Sequence, residues 1–184
     1  MKWVLLTVGV LSFGVMALAD WLDVVKKAKG AGGVFGAGCL MLGGASLGLL
    51  GRPSPEQRPE PLFWGLALLM LALLLYTVFG AVHCGSPQPD GLRPLVSTGV
   101  YALCRHPGVL WLSGMYFCAW CARGESAWLL AWVLFSGADI LYVFWQDRYL
   151  FPLSIQDYRE YQKSTPFLVP NPGSIRRCLQ TLRF

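Results

Sequence analysis

The run from Pro61 to Val82, which contains LALLMLALLLYTVFGAV, constrains this chain more than any other feature. It carries no charged side chain, and as an α-helix its 22 residues rise about 33 Å. A helix needs about 20 apolar residues to cross the hydrocarbon of a bilayer. Four more apolar segments accompany it: roughly Trp3 to Leu22, Val34 to Leu50, Gly108 to Ala122, and Ala127 to about Gln146. Val34 to Leu50 is slightly short for a span and Gly108 to Ala122 clearly short. Only 14% of the 184 residues are charged and the mean hydropathy is +0.49, whereas soluble domains carry about 25% charged residues. The expectation is an all-α, polytopic membrane protein of about five transmembrane helices with a cytoplasmic C-terminal helical segment. It forms a single membrane domain over 1–184. Residues 1–83 supply three spans, 84–107 a cytoplasmic loop, 108–172 a hairpin and tail, and 173–184 a basic tail.

Orientation follows from lysine and arginine placement. Lys26, Lys27, Lys29, Arg93, Arg105, Arg148, Arg159, Lys163, Arg176, Arg177 and Arg183 fall on one side of the expected bundle, and Lys2, Arg52, Arg58 and Arg123 on the other. The richer side reads as cytoplasmic, so the N-terminus is extracytoplasmic and the C-terminus cytoplasmic. The net charge of +5 is spread along the chain and reads as topology, not nucleic-acid binding. The first segment also has signal-peptide features, with Lys2 ahead of it and an A-x-A pattern at Ala17–Ala19. Its length favours a retained helix.

Six cysteines are present, and only Cys118 and Cys121 form a CxxC. That pair lies in an apolar run without nearby histidines, so no metal site is expected. Gly32, Gly36, Gly44 and Gly48 have the small-xxx-small spacing of close helix packing. The loop Gly51 to Pro61 is proline-rich and reads as a plain connection.

Three groups of residues carry chemical interest. In GVYALCRHPGVLW, Pro107 suits the first turn of a helix. Arg105 and His106 then stand where the unpaired N–H groups of that helix emerge. This is either a carboxylate or phosphate site or an interfacial anchor with a polar cap. In the fifth segment, Asp139, Tyr142, Val143 and Gln146 share one helical face, with Asp147 beside it. An acid inside an apolar run faces protein or water; this one either holds a cation or pairs with another helix. In DYREYQKSTPFLVPNP, Tyr158 and Tyr161 share a face while Arg159, Glu160 and Lys163 face water. Thr165-Pro166 ends that helix, and Phe167 to Val169 return to the membrane surface. The segment reads as a cover over a pocket or an interfacial helix.

Together these groups resemble the family of small integral-membrane methyltransferases that includes isoprenylcysteine carboxyl methyltransferase and the phospholipid N-methyltransferases. The family pattern G-x-Y-x-x-x-R-H-P-x-Y-x-G is matched by Gly99, Tyr101, Arg105, His106 and Pro107. Its later E-E-x-x-L…E-Y-x-x-Y part is matched by Leu150, Tyr158 and Tyr161, with Asp157 for a glutamate. Pro166 and Pro170 fit its proline-containing close. The pattern's tyrosine and glycine after RHP fall on Val109 and Trp111, its glutamate pair on Gln146 and Asp147, and its Phe-Gly on Ser154 and Ile155. The resemblance covers about Leu95 to Pro172. It implies S-adenosylmethionine as cofactor and a lipid-like or membrane-embedded methyl acceptor. It implies that Arg105 and His106 hold the cofactor's carboxylate and Asp147 its ammonium, with Tyr101, Gln146, Tyr158 and Tyr161 lining the pocket. Trp111, Asp139 and Tyr142 are expected on the acceptor side, and no residue is assigned a catalytic role. An NAD(P)H-dependent membrane reductase and a non-catalytic lipid- or partner-binding relative are the alternatives. The acceptor, the oligomeric state and the choice between bacterial plasma membrane and endoplasmic reticulum stay open.

Overall fold

The computed structural model describes residues 1–52, 60–80 and 92–182. Cys84, Arg58, Arg183 and most of the Gly51–Pro61 and 84–107 connections' first halves lie outside the described residues. The helices are α1 (Lys2–Val24), α2 (Ala31–Leu50), α3 (Pro61–Leu75), α4 (Val100–Leu103), α5 (Pro107–Arg123), α6 (Ser126–Trp145), α7 (Phe151–Ser154), α8 (Tyr158–Ser164) and α9 (Pro172–Thr181). A π-helical turn prolongs α3 over Tyr76–Gly80, and another prolongs α6 over Gln146–Leu150. Among the described residues there is no strand, only an isolated bridge between Arg93 and Ile155. Four helices are long and apolar enough to cross a membrane: Lys2–Val24, Ala31–Leu50, Pro61–Gly80 and Ser126–Ser154. The fifth expected span is α5, whose 17 residues rise about 25 Å.

The order of packing is α2, α1, α6, α5, α3, each helix lying against the next. Antiparallel α1 and α2 meet where a Cβ on Gly38 would stand 2.7 Å from Met16 Cγ, and one on Gly48 2.7 Å from Leu5 Cδ2. Parallel α1 and α6 meet at Gly9, where an added Cβ would fall 2.2 Å from Phe135 Cζ. Phe135, Tyr116, Leu6 and Leu49 form the fully enclosed centre, with Phe135 and Tyr116 edge to face at 5.1 Å. The expected small-residue seam is only partly used. Gly48 packs closely, but nothing lies within 4 Å of a Cβ on Gly32, Gly36 or Gly44, and Gly38 takes the close contact instead. The α5–α6 hairpin reverses at Gly124, whose φ of +68° closes α5 as a left-handed cap.

Contacts sort the helix ends as the cations suggest. Arg93 pairs with Asp23 at the C-terminal end of α1, and Arg105 lies with Asp147 at the end of α6. At the opposite end Arg123 donates to the Arg52 carbonyl (2.6 Å) and to Glu125 (2.9 Å).

Candidate functional site

Cys104 is extended (φ −158°, ψ 167°) and ends α4. Pro107 then opens α5, with His106 at its N-cap. The two residues between are held as a strap, because the Arg105 N–H donates to the Pro166 carbonyl (2.9 Å) and that of His106 to Phe167 (3.3 Å). The expected helix start at Pro107 is present. The His106 side chain does not cap it but turns toward Asp147.

Asp147 is the hub. Its Oδ1 accepts from Arg105 Nε (2.8 Å), His106 Nε2 (3.1 Å) and Tyr158 Oη (2.7 Å). Its Oδ2 accepts from Arg105 Nη2 (3.0 Å) and Gln162 Nε2 (3.1 Å). The Arg105–Asp147 pair is therefore bidentate, the geometry in which a guanidinium binds a carboxylate best. Both side chains are nearly enclosed, at 11% and 10% exposure. Arg105 Nη1 donates to the carbonyls of Gln162 (2.9 Å) and Thr165 (2.7 Å). These are C-terminal carbonyls of α8 and the residue after it, the place where a cation suits the helix dipole. Gln162 also donates to the Asp147 carbonyl (2.8 Å), inside the π-helical turn. Phe151 stacks on the His106 ring at 5.8 Å, and Phe167 meets it edge-on at 5.1 Å and lies 5.6 Å from the Arg105 guanidinium carbon. Phe167 thus closes over the charges, where a return to the membrane surface was expected; Val169 alone of Phe167–Val169 is strongly exposed.

Burial sets the protonation states around this knot. It holds His106 below its usual value, Arg105 adding to the effect and Asp147 opposing it. A neutral His106 bonded to Asp147 donates through Nε2–H. Burial and the bond to Asp147 push the Tyr158 phenol up, so it donates and does not act as a base. Burial pushes Tyr101 up to about 12 and the Cys104 thiol up to about 11. A thiol so placed is not a ready nucleophile.

The remaining expected residues divide into two neighbouring groups. Tyr161 donates to the Tyr101 carbonyl (2.5 Å), Tyr101 Oη to the Thr77 carbonyl (3.0 Å), and Trp111 Nε1 to Thr77 Oγ1 (3.1 Å). This chain ties α8, α4 and α5 to the end of α3. Gln146 turns away from the knot: its amide (2.7 Å) and Tyr142 Oη both donate to Asp20 of α1. Asp139 lies one turn before Tyr142 and is buried, 9% exposed. Gln162, Thr77 and Asp20 were not among the expected site residues. Gln162 is four residues after Tyr158 on one helical face, and Asp20 is an acid in the last turn of an apolar run; both were readable signals.

These features define an all-helical chain with four helices fit to cross a membrane and a charged, aromatic-walled knot at one end of the bundle. Comparison with models of known families, with curated proteins and with solved structures finds no match to this chain.

Proposed function

We propose that the chain is an S-adenosylmethionine-dependent methyltransferase that acts on a lipid-like or membrane-embedded acceptor, with its cofactor held at the cytoplasmic end of the bundle. The observation that carries this reading is the Arg105–Asp147 pair with His106 and Tyr158 on the same carboxylate. Three stretches far apart in the sequence converge there, the same three on which the family resemblance rests.

The donor set fits the cofactor in kind. The amino-acid end of S-adenosylmethionine is a zwitterion. Inserted into an Arg–Asp pair, it leaves neither buried charge bare: its carboxylate takes Arg105 and its ammonium takes Asp147. One ion pair becomes two, which offsets the desolvation of both protein charges. His106, with Asp147 displaced, would donate to the same carboxylate. Phe151 and Phe167 wall the site from water. When bound, the cofactor supplies a methyl group already activated on a sulfonium, so the chain's task is to orient the reactants and exclude water. Tyr142 and Asp139 lie deeper along α6 and belong to the acceptor side. Trp111, with its indole N–H taken by Thr77, stands between α5 and the end of α3. Gln146, bonded to Asp20, no longer belongs with the cofactor residues.

A second reading has its own observation. Both Asp147 oxygens and four of the five Arg105 N–H groups are already satisfied within the chain. A knot so complete also suits a non-catalytic relative in which the residues only hold α8 against the bundle. Titration of the purified protein with S-adenosylmethionine, its demethylated product and NADPH separates these readings. The methyltransferase binds the first two, and Asp147→Asn, which keeps the shape and removes the charge, weakens binding tenfold or more. That loss matches the roughly 1.5–3 kcal/mol of a hydrogen bond to a charged group. Binding of NADPH alone overturns the proposal in favour of a reductase. Binding of none of the three leaves the non-catalytic relative.

A further inference from the structure

The strongest unassigned surface is α9. A reciprocal capping box starts the helix: Asn171 Oδ1 accepts from the Ser174 N–H (2.8 Å) and Ser174 Oγ from the Asn171 N–H (3.0 Å). Ser174 and Cys178 are buried on its inner face, which packs on α4. Two bonds fix its rotation: the Gly99 N–H donates to Thr181 Oγ1 (2.9 Å), and Arg177 Nη2 donates to the Ser164 carbonyl (2.8 Å). With rotation fixed, Ile175 and Leu179 are turned outward, 44% and 69% exposed. Arg176 flanks the stripe, about 60° round the helix from Leu179, while Arg177 lies on the side opposite the stripe.

Three observations say what covers this stripe. First, α9 sits at the end of a span, because α4 beneath it is tied through Tyr101 to Thr77 in the last turn of Pro61–Gly80. Secondly, no acidic residue occurs between Pro166 and Leu182, so nothing on this segment neutralises Arg176. Thirdly, two apolar side chains are far too small a patch for a stable contact with a second copy, which needs about 600 Å² or more per partner. An apolar stripe flanked by an unneutralised arginine is the pattern of a helix lying in a membrane interface.

We infer that α9 docks in the interface of the leaflet at the Arg105 end of the bundle, and that it selects anionic lipid. Ile175 and Leu179 enter the acyl boundary, while Arg176 beside them reaches lipid phosphate groups. The inference rests on the four helices crossing a membrane and stands whether or not the chain transfers methyl groups, so its failure and that of the methyltransferase reading are separate results.

The full chain is placed in nanodiscs of phosphatidylcholine, with or without one third phosphatidylglycerol. p-Benzoylphenylalanine in place of Leu179 forms a lipid adduct on irradiation. Tryptic cleavage after Arg177 slows in the anionic discs by about fivefold per arginine engaged. Arg176→Gln removes one such factor, and Leu179→Glu restores cleavage with the melting temperature unchanged. An adduct to a second chain, no adduct, or cleavage indifferent to lipid charge overturns the inference.

Discussion

Removing the Asp147 carboxylate is the sharpest perturbation of the knot. In Asp147→Ala, Arg105 keeps only the Gln162 and Thr165 carbonyls and loses both charge-assisted bonds. His106, Tyr158 and the Gln162 side chain lose the same acceptor. A guanidinium 11% exposed cannot recover its hydration, so the variant should lose about 3–5 kcal/mol, as when one partner of a buried ion pair is deleted. Arg105→Leu alone should also destabilise, because it strands the carboxylate. The double variant strands neither charge. Its loss should fall short of the summed single losses by about 1–3 kcal/mol, the range for residues in direct contact. Reversible unfolding in mixed micelles, followed by circular dichroism, measures all four corners of the cycle. Additivity within about 0.5 kcal/mol, or a loss below about 1 kcal/mol for Asp147→Ala, refutes the reading that this is a buried, mutually dependent pair.

Other perturbations test neighbouring parts. Because burial lowers the His106 value in the fold, the unfolded chain takes up a proton near pH 6.5 that the folded chain refuses. Stability is therefore full above about pH 6.5 and falls as pH drops below it; His106→Gln should flatten that part of a melting-temperature profile. Gly9→Ala should cost about 1–3 kcal/mol by overpacking, since its Cβ falls 2.2 Å from Phe135 Cζ, and Phe135→Leu in that background should return part of the loss in the same unfolding assay.

Much of the site was legible because it depends on local rules. Pro107 starts a helix wherever its missing N–H is harmless, and the three-residue spacing of Tyr158 and Tyr161 turns both rings inward. What could not be read was direction. Gln146 and Asp147 are adjacent, yet neighbouring positions on a helix point about 100° apart. One reaches Asp20 on α1 and the other faces Arg105. The π-helical turn over Gln146–Leu150 adds to that change of direction, and no residue pattern announced it. Asp20 is legible as an acid in an apolar run, but its partners, Tyr142 and Gln146, are more than 120 residues away, beyond the reach of a local pattern. The small-residue spacing on α2 points to Gly32, Gly36, Gly44 and Gly48, but the neighbouring helix meets only Gly48 of these and takes Gly38, outside that spacing, as its second close contact.

By itself, the sequence determined the apolar helices, the segregation of cations to one end, and the helix starts and stops around Arg105 and Tyr158. These follow from hydrophobicity, charge and backbone chemistry, which act over a few residues. The tertiary structure decided which polar group meets which. A buried charge takes whatever partner the packing brings within about 3 Å. In this chain, that packing joined Arg105, His106, Tyr158 and Gln162 on the one carboxylate of Asp147.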